Sequence, residues 1–324
     1  MKTISEILRK RIVLWGVIVL VLLVVFLLSW NFALRLRAKD RAVLSFTMKS
    51  PPPPPAEQIE IMAWNIAHGR GTVESNWDGG NRDTRRARLE TIARKINHYN
   101  PDIVVLNEVD FRSTWSYGIN QAEFFQKSTG YAYRIEQRNF DFGFPFLRYC
   151  FGNAILSRFP LEDAEFVDYP AKSELEDLLA GKKQGVICTV ELEEKPDFRL
   201  LAVHFEFRSP EVRRKTAKEI LSLTENIELP LVAAGDFNST PPDFPMAAPG
   251  KDGKTALQIL LDSEWFKTLP VSAPENEDFT FHSLRPGKVI DWVLVPETWK
   301  ILSRKVPDIP LSDHRPVIYI LSPL

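Results

Sequence analysis

Cysteine is scarce in this sequence, and the two that occur, Cys150 and Cys188, form no recognisable pattern. Their spacing matches neither a cysteine-based zinc site nor a disulfide framework, although the two could still pair with each other. Internal repeats are absent, and the only low-complexity segment is one run of prolines, which excludes a repeat architecture. The remaining composition, 44% hydrophobic and 26% charged, is that of an ordinary folded protein.

Net charge is also nearly absent, at −1, but this value hides an asymmetry. The first 50 residues contain nine Lys and Arg and only two acidic residues, which leaves 32 basic and 40 acidic residues after them, a net charge of −8. Binding to duplex DNA normally needs several contacts from Lys and Arg to phosphates. The acidic remainder of the chain therefore disfavours a nucleic acid partner.

The most apolar segment runs from Ile12 to Leu28, 17 consecutive residues counting Gly16, and extends to Leu34. A helix of this length can cross about 30 Å of hydrocarbon. The segment lacks the polar face of a core helix, and it is longer than the roughly 7–15 apolar residues of a cleaved signal peptide. We therefore predict a basic tail at residues 1–11 and a single-pass membrane helix at residues 12–34, with the lipid bilayer as its partner.

Basic residues flank both ends of this helix in equal number, so the positive-inside rule leaves the topology open. The interpretation we favour keeps the short N-terminal tail inside and places the large domain on the extracytoplasmic side. Residues 35–56 then form a basic linker that ends in Pro51–Pro55, a run that favours an extended, semi-rigid spacer. The globular domain is predicted to cover residues 57–324.

Within that domain, short helices lie between many strands that are not all joined in βαβ fashion, which predicts α/β mixed sheets covered by helices. A less regular apolar run, Val306–Leu311, reads as a further strand before Ser312. The first domain helix should be capped by Asp83 or Thr84. Predicted strands cover residues 59–64, 103–106, 152–156, 186–192, 198–203, 231–234, 288–295 and 317–321, and predicted helices cover residues 84–98, 122–129 and 210–226.

Polar side chains follow or end several of these strands, where ligands gather in sheet proteins. Carboxylate and amide oxygens suit a hard divalent cation, and an imidazole can neutralise or protonate a phosphoryl oxygen. Each residue could alternatively cap a turn or form a structural pair. The candidates are Asn65, Glu108, His204, Asp236, Asn238, Asp291, Asp313 and His314.

The order of these motifs resembles that of the endonuclease/exonuclease/phosphatase superfamily. The resemblance extends from about Ile59 to the C-terminus. It implies a four-layer α/β sandwich, two packed mixed β-sheets flanked by helices, and hydrolysis of a phosphate ester by in-line attack of metal-assisted water. The motifs that carry it are Ala63-Trp-Asn65, Leu106-Asn-Glu108-Val-Asp110, Gly152-Asn-Ala-Ile-Leu-Ser-Arg158, Gly235-Asp-Phe-Asn238, Ile290-Asp-Trp292 and Ser312-Asp-His314.

The resemblance also implies roles for the candidate residues. Glu108 resembles the principal ligand of Mg²⁺, or of Mn²⁺ in its place, with Asn65 and Asp313 as assisting ligands. Asp236 resembles the residue that positions or deprotonates the attacking water, and Asn238 the amide that holds a phosphoryl oxygen.

His314 resembles the imidazole that contacts the phosphate, and Asp291 the carboxylate that orients it. His204 stands where some members have a second histidine and others a tyrosine. This places the chain nearer the pattern of deoxyribonuclease I and the sphingomyelinases.

The sequence thus predicts a membrane-anchored, Mg²⁺-dependent phosphoesterase whose substrate is a phosphomonoester or phosphodiester. This class of substrate includes phosphoesters derived from lipids. The alternatives are a nuclease acting on DNA or RNA, and a non-catalytic binding protein that retains the fold. Nothing in the sequence indicates an obligate protein partner.

For some residues outside the motifs, the sequence pattern alone makes a prediction. His68 and His98 are predicted at the surface. Alternating phenylalanines predict either a half-buried strand or a lipid-contacting hairpin, and an arginine cluster predicts either a solvated helix face or a contact to a second phosphate. The phenylalanines are Phe140, Phe142, Phe144 and Phe146, and the arginines are Arg82, Arg85, Arg86 and Arg88.

Overall fold

The computed structural model describes residues 4–39, 43–49, 53, 57–144, 146–170, 183–193, 195–225 and 227–323. The helices within these residues are α1 (Ile4–Lys39), α2 (Arg82–Tyr99), α3 (Gln121–Thr129), α4 (Pro210–Thr224) and α5 (Ala256–Leu261). The strands are β1 (Val43–Thr47), β2 (Ile59–Asn65), β3 (Ile103–Asp110), β4 (Tyr133–Phe144), β5 (Leu147–Ser157), β6 (Leu161–Asp168), β7 (Gln184–Val190), β8 (Phe198–His204), β9 (Leu231–Asp236), β10 (Phe266–Lys267), β11 (Asp291–Pro296), β12 (Lys300–Lys305) and β13 (Val317–Ser322).

The strands form two mixed sheets. The first has the order β1-β4-β5-β3-β2-β13-β12, and the second has the order β10-β11-β9-β8-β7-β6. Each sheet contains a parallel pair at its centre, β2 with β3 and β8 with β9. The carboxyl ends of these four strands are the natural place for a ligand site.

Three apolar clusters hold the layers together. The largest lies between the two sheets and includes Ile61, Val105, Leu200 and Val293. A second cluster packs α2 and α3 on the outer face of the first sheet, and a third packs α4 and α5 on the outer face of the second. The order helix, sheet, sheet, helix confirms the predicted four-layer α/β sandwich.

The central strands β2, β3, β8 and β9 are buried along nearly their whole length. Continuous burial explains why these segments read as apolar runs instead of alternating ones, since both faces of each strand are covered. At the end of each run a polar residue projects from the sheet, and these residues form the site described below.

Helix α1 contains one stretch, Leu8–Ala33, that is long and apolar enough to cross a membrane, and its most apolar 18-residue window has no buried residue. The helix continues to Lys39. Strand β1 then pairs antiparallel with β4, so this part of the predicted linker belongs to the first sheet. Of the predicted proline spacer, only Pro53 lies within the described residues.

Three local predictions need correction. Helix α2 is capped by Asn81, not by Asp83 or Thr84, because the Asn81 side chain accepts a hydrogen bond from the Thr84 N–H at 2.9 Å. Residues 306–311 are irregular and form no strand. Of the arginine cluster, Arg85 is buried and donates to the carbonyl of His68. Arg88 donates to the carbonyls of Gly69 and Gly79, so both arginines hold the loop before α2.

Candidate active site

The predicted site residues converge at one edge of the sandwich. Asn65 ends β2, His204 ends β8 and Asp236 ends β9. Asp291 begins β11, directly opposite Asp236 in the antiparallel ladder. Glu108 lies in β3 with a left-handed φ of 52°, at a break in register between β3 and β5 that turns its side chain toward the same edge.

A glycine and an asparagine fix the backbone below the site. Gly235 has a φ of 136°, and a Cβ there would lie 2.2 Å from the Val203 carbonyl oxygen, so only glycine fits. Asn107 Nδ2 donates to the Val203 carbonyl and to Asn153 Oδ1, each at 2.8 Å, while its Oδ1 accepts from the Asp236 N–H at 2.9 Å. This buried asparagine therefore ties the two sheets together directly under Asp236.

Asp236 is the centre of the site. Its Oδ2 accepts a hydrogen bond from Asn65 Nδ2 at 3.2 Å and lies 3.8 Å from Nε2 of both His204 and His314. Burial, aided by the neighbouring Asp291 carboxylate, raises the pKa of Asp236 to about 7, even though His314 acts in the opposite direction. A carboxyl group with such a pKa can accept a proton near neutral pH.

His314 and Asp291 form a buried pair. The Nδ1 atom of His314 donates to Asp291 Oδ2 at 2.9 Å, which directs Nε2 toward Asp236. Burial alone would lower the pKa of His314, but the Asp291 and Asp236 carboxylates outweigh it and raise the pKa to about 10. The imidazole is therefore cationic at neutral pH, as a group that contacts a phosphate should be.

Glu108 lies between cationic neighbours. Its Oε1 accepts a hydrogen bond from Asn65 Nδ2 at 3.3 Å, and its Oε2 lies 3.1 Å from an Arg70 nitrogen. The other terminal nitrogen of Arg70 donates to Asp313 Oδ2 at 2.7 Å. Burial opposes ionisation, but the surrounding basic groups, His68 first, lower the pKa of Glu108, so its carboxylate is charged.

His68 is not at the surface, contrary to the prediction. Its ring is buried, with Nδ1 2.9 Å from Asp110 Oδ1 and Nε2 3.4 Å from Glu108 Oε2. The Trp115 indole N–H donates to the other oxygen of Asp110 at 2.8 Å. His68 thus joins the predicted site from the loop after β2. His98, by contrast, is exposed as predicted.

His204 and Asn238 complete the set. Burial and the adjacent Lys183 ammonium hold the pKa of His204 well below its usual value, and Lys183 Nζ lies 2.7 Å from His204 Nε2. The Asn238 N–H donates to Asp236 Oδ1 at 2.8 Å, and its side-chain amide donates to the Phe205 carbonyl at 3.1 Å. Asn238 therefore both orients Asp236 and closes the loop after β9.

The donor chemistry of the site fits a hard divalent cation. Two carboxylates, Glu108 and Asp313, already share one positive group, the guanidinium of Arg70. Asn65 lies beside them with its Nδ2 toward Glu108, while its Oδ1 accepts from the Ala67 N–H at 3.0 Å. Asp236, Asp291 and His314 also bring ligand atoms within 4.8 Å of one another. That second group is less suitable, because the His314 imidazole is held cationic by Asp291 and would repel a metal.

Four residues that surround the site were not predicted from the sequence. Asn107 and Asp110 lie within the Leu106–Asp110 motif, but the motif predicted a role only for Glu108. Arg70 and Lys183 carried no such signal, because each meets its partner across a long sequence separation.

Comparisons with known proteins identify the family and the fold of this chain. The sequence profile described as the Endonuclease/Exonuclease/phosphatase family matches residues 62–314. A comparison with curated proteins gave no match.

Similar solved structures include three with TM-scores of 0.56 to 0.60. An endonuclease/exonuclease/phosphatase from Beutenbergia cavernae has 18% identity and a TM-score of 0.60, over 82% of this chain and 72% of its own. The human Nocturnin catalytic domain with bound sulfate has 18% identity and a TM-score of 0.57, over 87% and 97%. A mannosyl-6-phosphatase from Bacteroides thetaiotaomicron has 11% identity and a TM-score of 0.56, over 81% and 99%. At these identities the likeness establishes the fold.

Proposed function

Because this chain belongs to the endonuclease/exonuclease/phosphatase family, we propose that it is a membrane-anchored, metal-dependent phosphoester hydrolase. The observation that carries the proposal is the convergence on Asp236. One carboxylate oxygen of this residue faces the amide of Asn65 and the imidazoles of His204 and His314, beside the charged Glu108. Capping of turns does not require such a set, whereas phosphoryl transfer does.

In this proposal Glu108 and Asp313, assisted by Asn65, would hold Mg²⁺ or Mn²⁺. A bound divalent ion supplies positive charge to the phosphoryl oxygens of the transition state. Asp236 accepts the proton of the attacking water, for which its raised pKa is suited.

His314 donates from its cationic imidazole to a phosphoryl oxygen, and Asp291 is the positioning residue that holds the ring. Asn238 contributes its amide beside the same oxygen. His204, which is neutral, can accept or share a hydrogen bond with the substrate.

The substrate is a phosphomonoester or phosphodiester. One structural relative is named a mannosyl-6-phosphatase and another holds sulfate, a tetrahedral oxyanion like phosphate. The net charge of −8 after residue 50 disfavours nucleic acid. The apolar helix Leu8–Ala33 supports an anchor, and we place the catalytic domain on the extracytoplasmic side.

Turnover of a chromogenic phosphodiester by the full chain tests the proposal. We expect hydrolysis with Mg²⁺, its loss on adding a chelator, and its return with excess Mg²⁺. Asp236→Asn should abolish it, whereas Asp243→Asn, a matched change at an exposed position in the loop after β9, should not. A folded chain that hydrolyses nothing in a broad phosphoester panel would instead be the non-catalytic binding protein.

A salt series separates the nuclease alternative. Affinity of a nuclease for duplex DNA should fall with a log–log slope of about −0.9 for each phosphate neutralised. We expect any nuclease activity to be weak and strongly salt-sensitive, and turnover of a small or membrane-borne phosphoester to depend little on salt. Efficient cleavage of plasmid DNA at physiological salt would favour the nuclease.

A further inference from the structure

A row of aromatic rings runs along the hairpin of β4 and β5. We call it the phenylalanine ladder, and it consists of Phe146, Phe144, Phe142, Phe140 and Phe151. Successive ring centroids in this order are 6.1, 5.8, 5.8 and 5.5 Å apart. The rings therefore form one continuous apolar surface from the tip of the hairpin to β5.

One extra residue in β4 sets the direction of this ladder. Gln137 pairs with Asn153, but Phe140 pairs with Phe151, so β4 advances three residues where β5 advances two. The bulge turns the even-numbered phenylalanines onto the face that Ile135 presents to the space between the sheets. Without it, Asp141 would lie on that face.

The inner end of the ladder lies at the candidate active site. The Phe151 ring is 5.1 Å from the ring of His68, whose Nε2 faces Glu108. Phe151, His68, Glu108 and His204 also line one cavity of about 180 Å³. An apolar group lying on Phe151 would therefore be next to the residues proposed to bind the phosphate.

The outer end of the ladder lies beside the membrane helix. The Gly143 N–H, at the tip of the hairpin, donates to Asn31 Oδ1 at 3.2 Å. Asn31 lies within the last turn of the apolar stretch Leu8–Ala33, where such a helix leaves the bilayer. Phe146, at the tip, has 83% of its surface exposed, and an exposed apolar surface of this kind marks a site of contact with a membrane or a partner.

We propose that the phenylalanine ladder binds the hydrocarbon chain of a membrane phosphoester, which leaves the bilayer at Phe146 and presents its phosphate at Glu108. This inference rests on the proposed function and specifies its substrate as a lipid. A nucleic acid whose bases stack on the same rings would need cationic neighbours. Here Arg138 and Arg148 are each paired with Asp141, and Arg138 is also paired with Glu136, so two carboxylates balance the two arginines, which favours a hydrocarbon chain.

Binding of alkyl phosphonates tests the ladder without requiring turnover. The full chain, in nanodiscs of phosphatidylcholine, is titrated with methyl, butyl, octyl and dodecyl phosphonate. With affinities referred to the ligand free in water and empty nanodiscs as the blank, burial of a methylene should tighten binding by a factor of about 4 while the chain still lies on the rings. Equal binding of the methyl and dodecyl compounds would overturn the proposal.

Variants of the ladder link this effect to the rings. Phe146→Ser, at an exposed position, and Phe144→Ser should each lower the ratio of dodecyl to methyl affinity by tenfold or more. Val271→Ser is the matched control, since Val271 is also 83% exposed and lies in another loop. Circular dichroism checks that each variant is folded. An unchanged affinity ratio in both folded ladder variants would contradict a hydrocarbon track. So would a deoxythymidine oligonucleotide that displaces dodecyl phosphonate as strongly as another lipid phosphonate does.

A label at the hairpin tip gives a second, physical readout. Cys150 and Cys188 are both free and buried, so an environment-sensitive thiol dye should react selectively with Phe146→Cys. The emission of the dye on Phe146→Cys should shift to the blue when the protein is moved from an amphipathic polymer without lipid into nanodiscs. The emission of the same dye on Val271→Cys should not shift. No difference between the two positions would overturn membrane contact by the tip.

Turnover distinguishes this inference from the proposed function. Hydrolysis of methyl and dodecyl 4-nitrophenyl phosphate at equal kcat/KM would sustain the proposed function and contradict the ladder. Chain-length-dependent binding of phosphonates without hydrolysis of either ester would sustain the ladder and contradict the proposed function.

Discussion

Replacing Arg70 should strengthen metal binding. In the structure the Arg70 guanidinium joins the two carboxylates that we propose as metal ligands, at 3.1 Å from Glu108 and 2.7 Å from Asp313. Its side chain is 12% exposed, and those of Glu108 and Asp313 are 25% and 15% exposed. A cation that enters between these carboxylates must displace Arg70 from at least one of them.

The size of the effect follows from the interaction that is lost. A hydrogen bond between charged groups contributes about 1.5–3 kcal/mol when it is poorly exposed to solvent. Because about 1.4 kcal/mol corresponds to a factor of ten in affinity, loss of one such bond weakens metal binding by about 10- to 150-fold. Arg70→Gln removes this competition and should tighten Mg²⁺ binding by a factor in that range.

Isothermal titration with Mg²⁺, repeated with Mn²⁺, measures the change. Arg86→Gln is the matched control, because Arg86 is an exposed arginine whose ion pair with Glu90 lies on the helix surface. We expect its affinity for metal to equal that of the wild type. If Arg70→Gln binds Mg²⁺ with unchanged or weaker affinity while remaining folded, Arg70 does not occupy the cation position and the reasoning is wrong.

Four further predictions test other parts of the site and its support. Glu108→Gln should weaken metal binding and lower activity by a factor on the order of 10²–10⁴, with partial rescue at high Mg²⁺ or by Mn²⁺. If calorimetry shows an unchanged affinity for the metal, Glu108 is not a ligand. The raised pKa of His314 keeps the ring cationic until the pH rises toward about 10, so kcat should fall near that pH. Asp291→Asn should move this alkaline limb of the pH profile to lower pH, because the carboxylate no longer stabilises the cation. Since Asp291 acts through His314, the defects of His314→Ala and Asp291→Asn should not multiply in the double variant, and a rate equal to their product would show independent action. Gly235→Ala should destabilise the fold by about 3 kcal/mol or more, because its Cβ would meet the Val203 carbonyl at a left-handed backbone, and an unchanged melting temperature would refute that view.

The sequence predicted the buried centre of the fold better than its edges. Strands β2, β3, β8 and β9 are covered on both faces and so appear as continuous apolar runs. Strand β12, at the edge of the first sheet, alternates exposed and half-buried residues and begins and ends with lysine, so it resembles a loop. Strand β1 was read as linker because its partner, β4, lies about 90 residues later in the chain.

The candidate site divides in a similar way. Asn65, Glu108, Asp236 and His314 were predicted because each follows or adjoins a recognisable strand within an ordered motif. His68 was misread as a surface residue, since nothing near it in sequence reveals its partner Asp110, 42 positions away.

Long-range partners also decide the electrostatics. The pKa of His314 depends on Asp291 and Asp236, and that of His204 depends on burial and on Lys183. Sequence spacing predicts that such groups meet at one edge, but it does not give the distances that set their charge. The distances are set by the packing of the two sheets, which the sequence does not specify directly.

Hydrolysis in ¹⁸O-labelled water tests the central claim most directly. With the full chain, Mg²⁺ and bis(4-nitrophenyl) phosphate, attack of water on phosphorus places one ¹⁸O atom in the 4-nitrophenyl phosphate product and none in 4-nitrophenol. Mass spectrometry of both products reads the position of the label, with Asp236→Asn as the inactive reference. We predict label in the phosphate product alone and only when the divalent ion is present. Label in the phenol, or equal incorporation by Asp236→Asn, would contradict metal-dependent attack of water at this site.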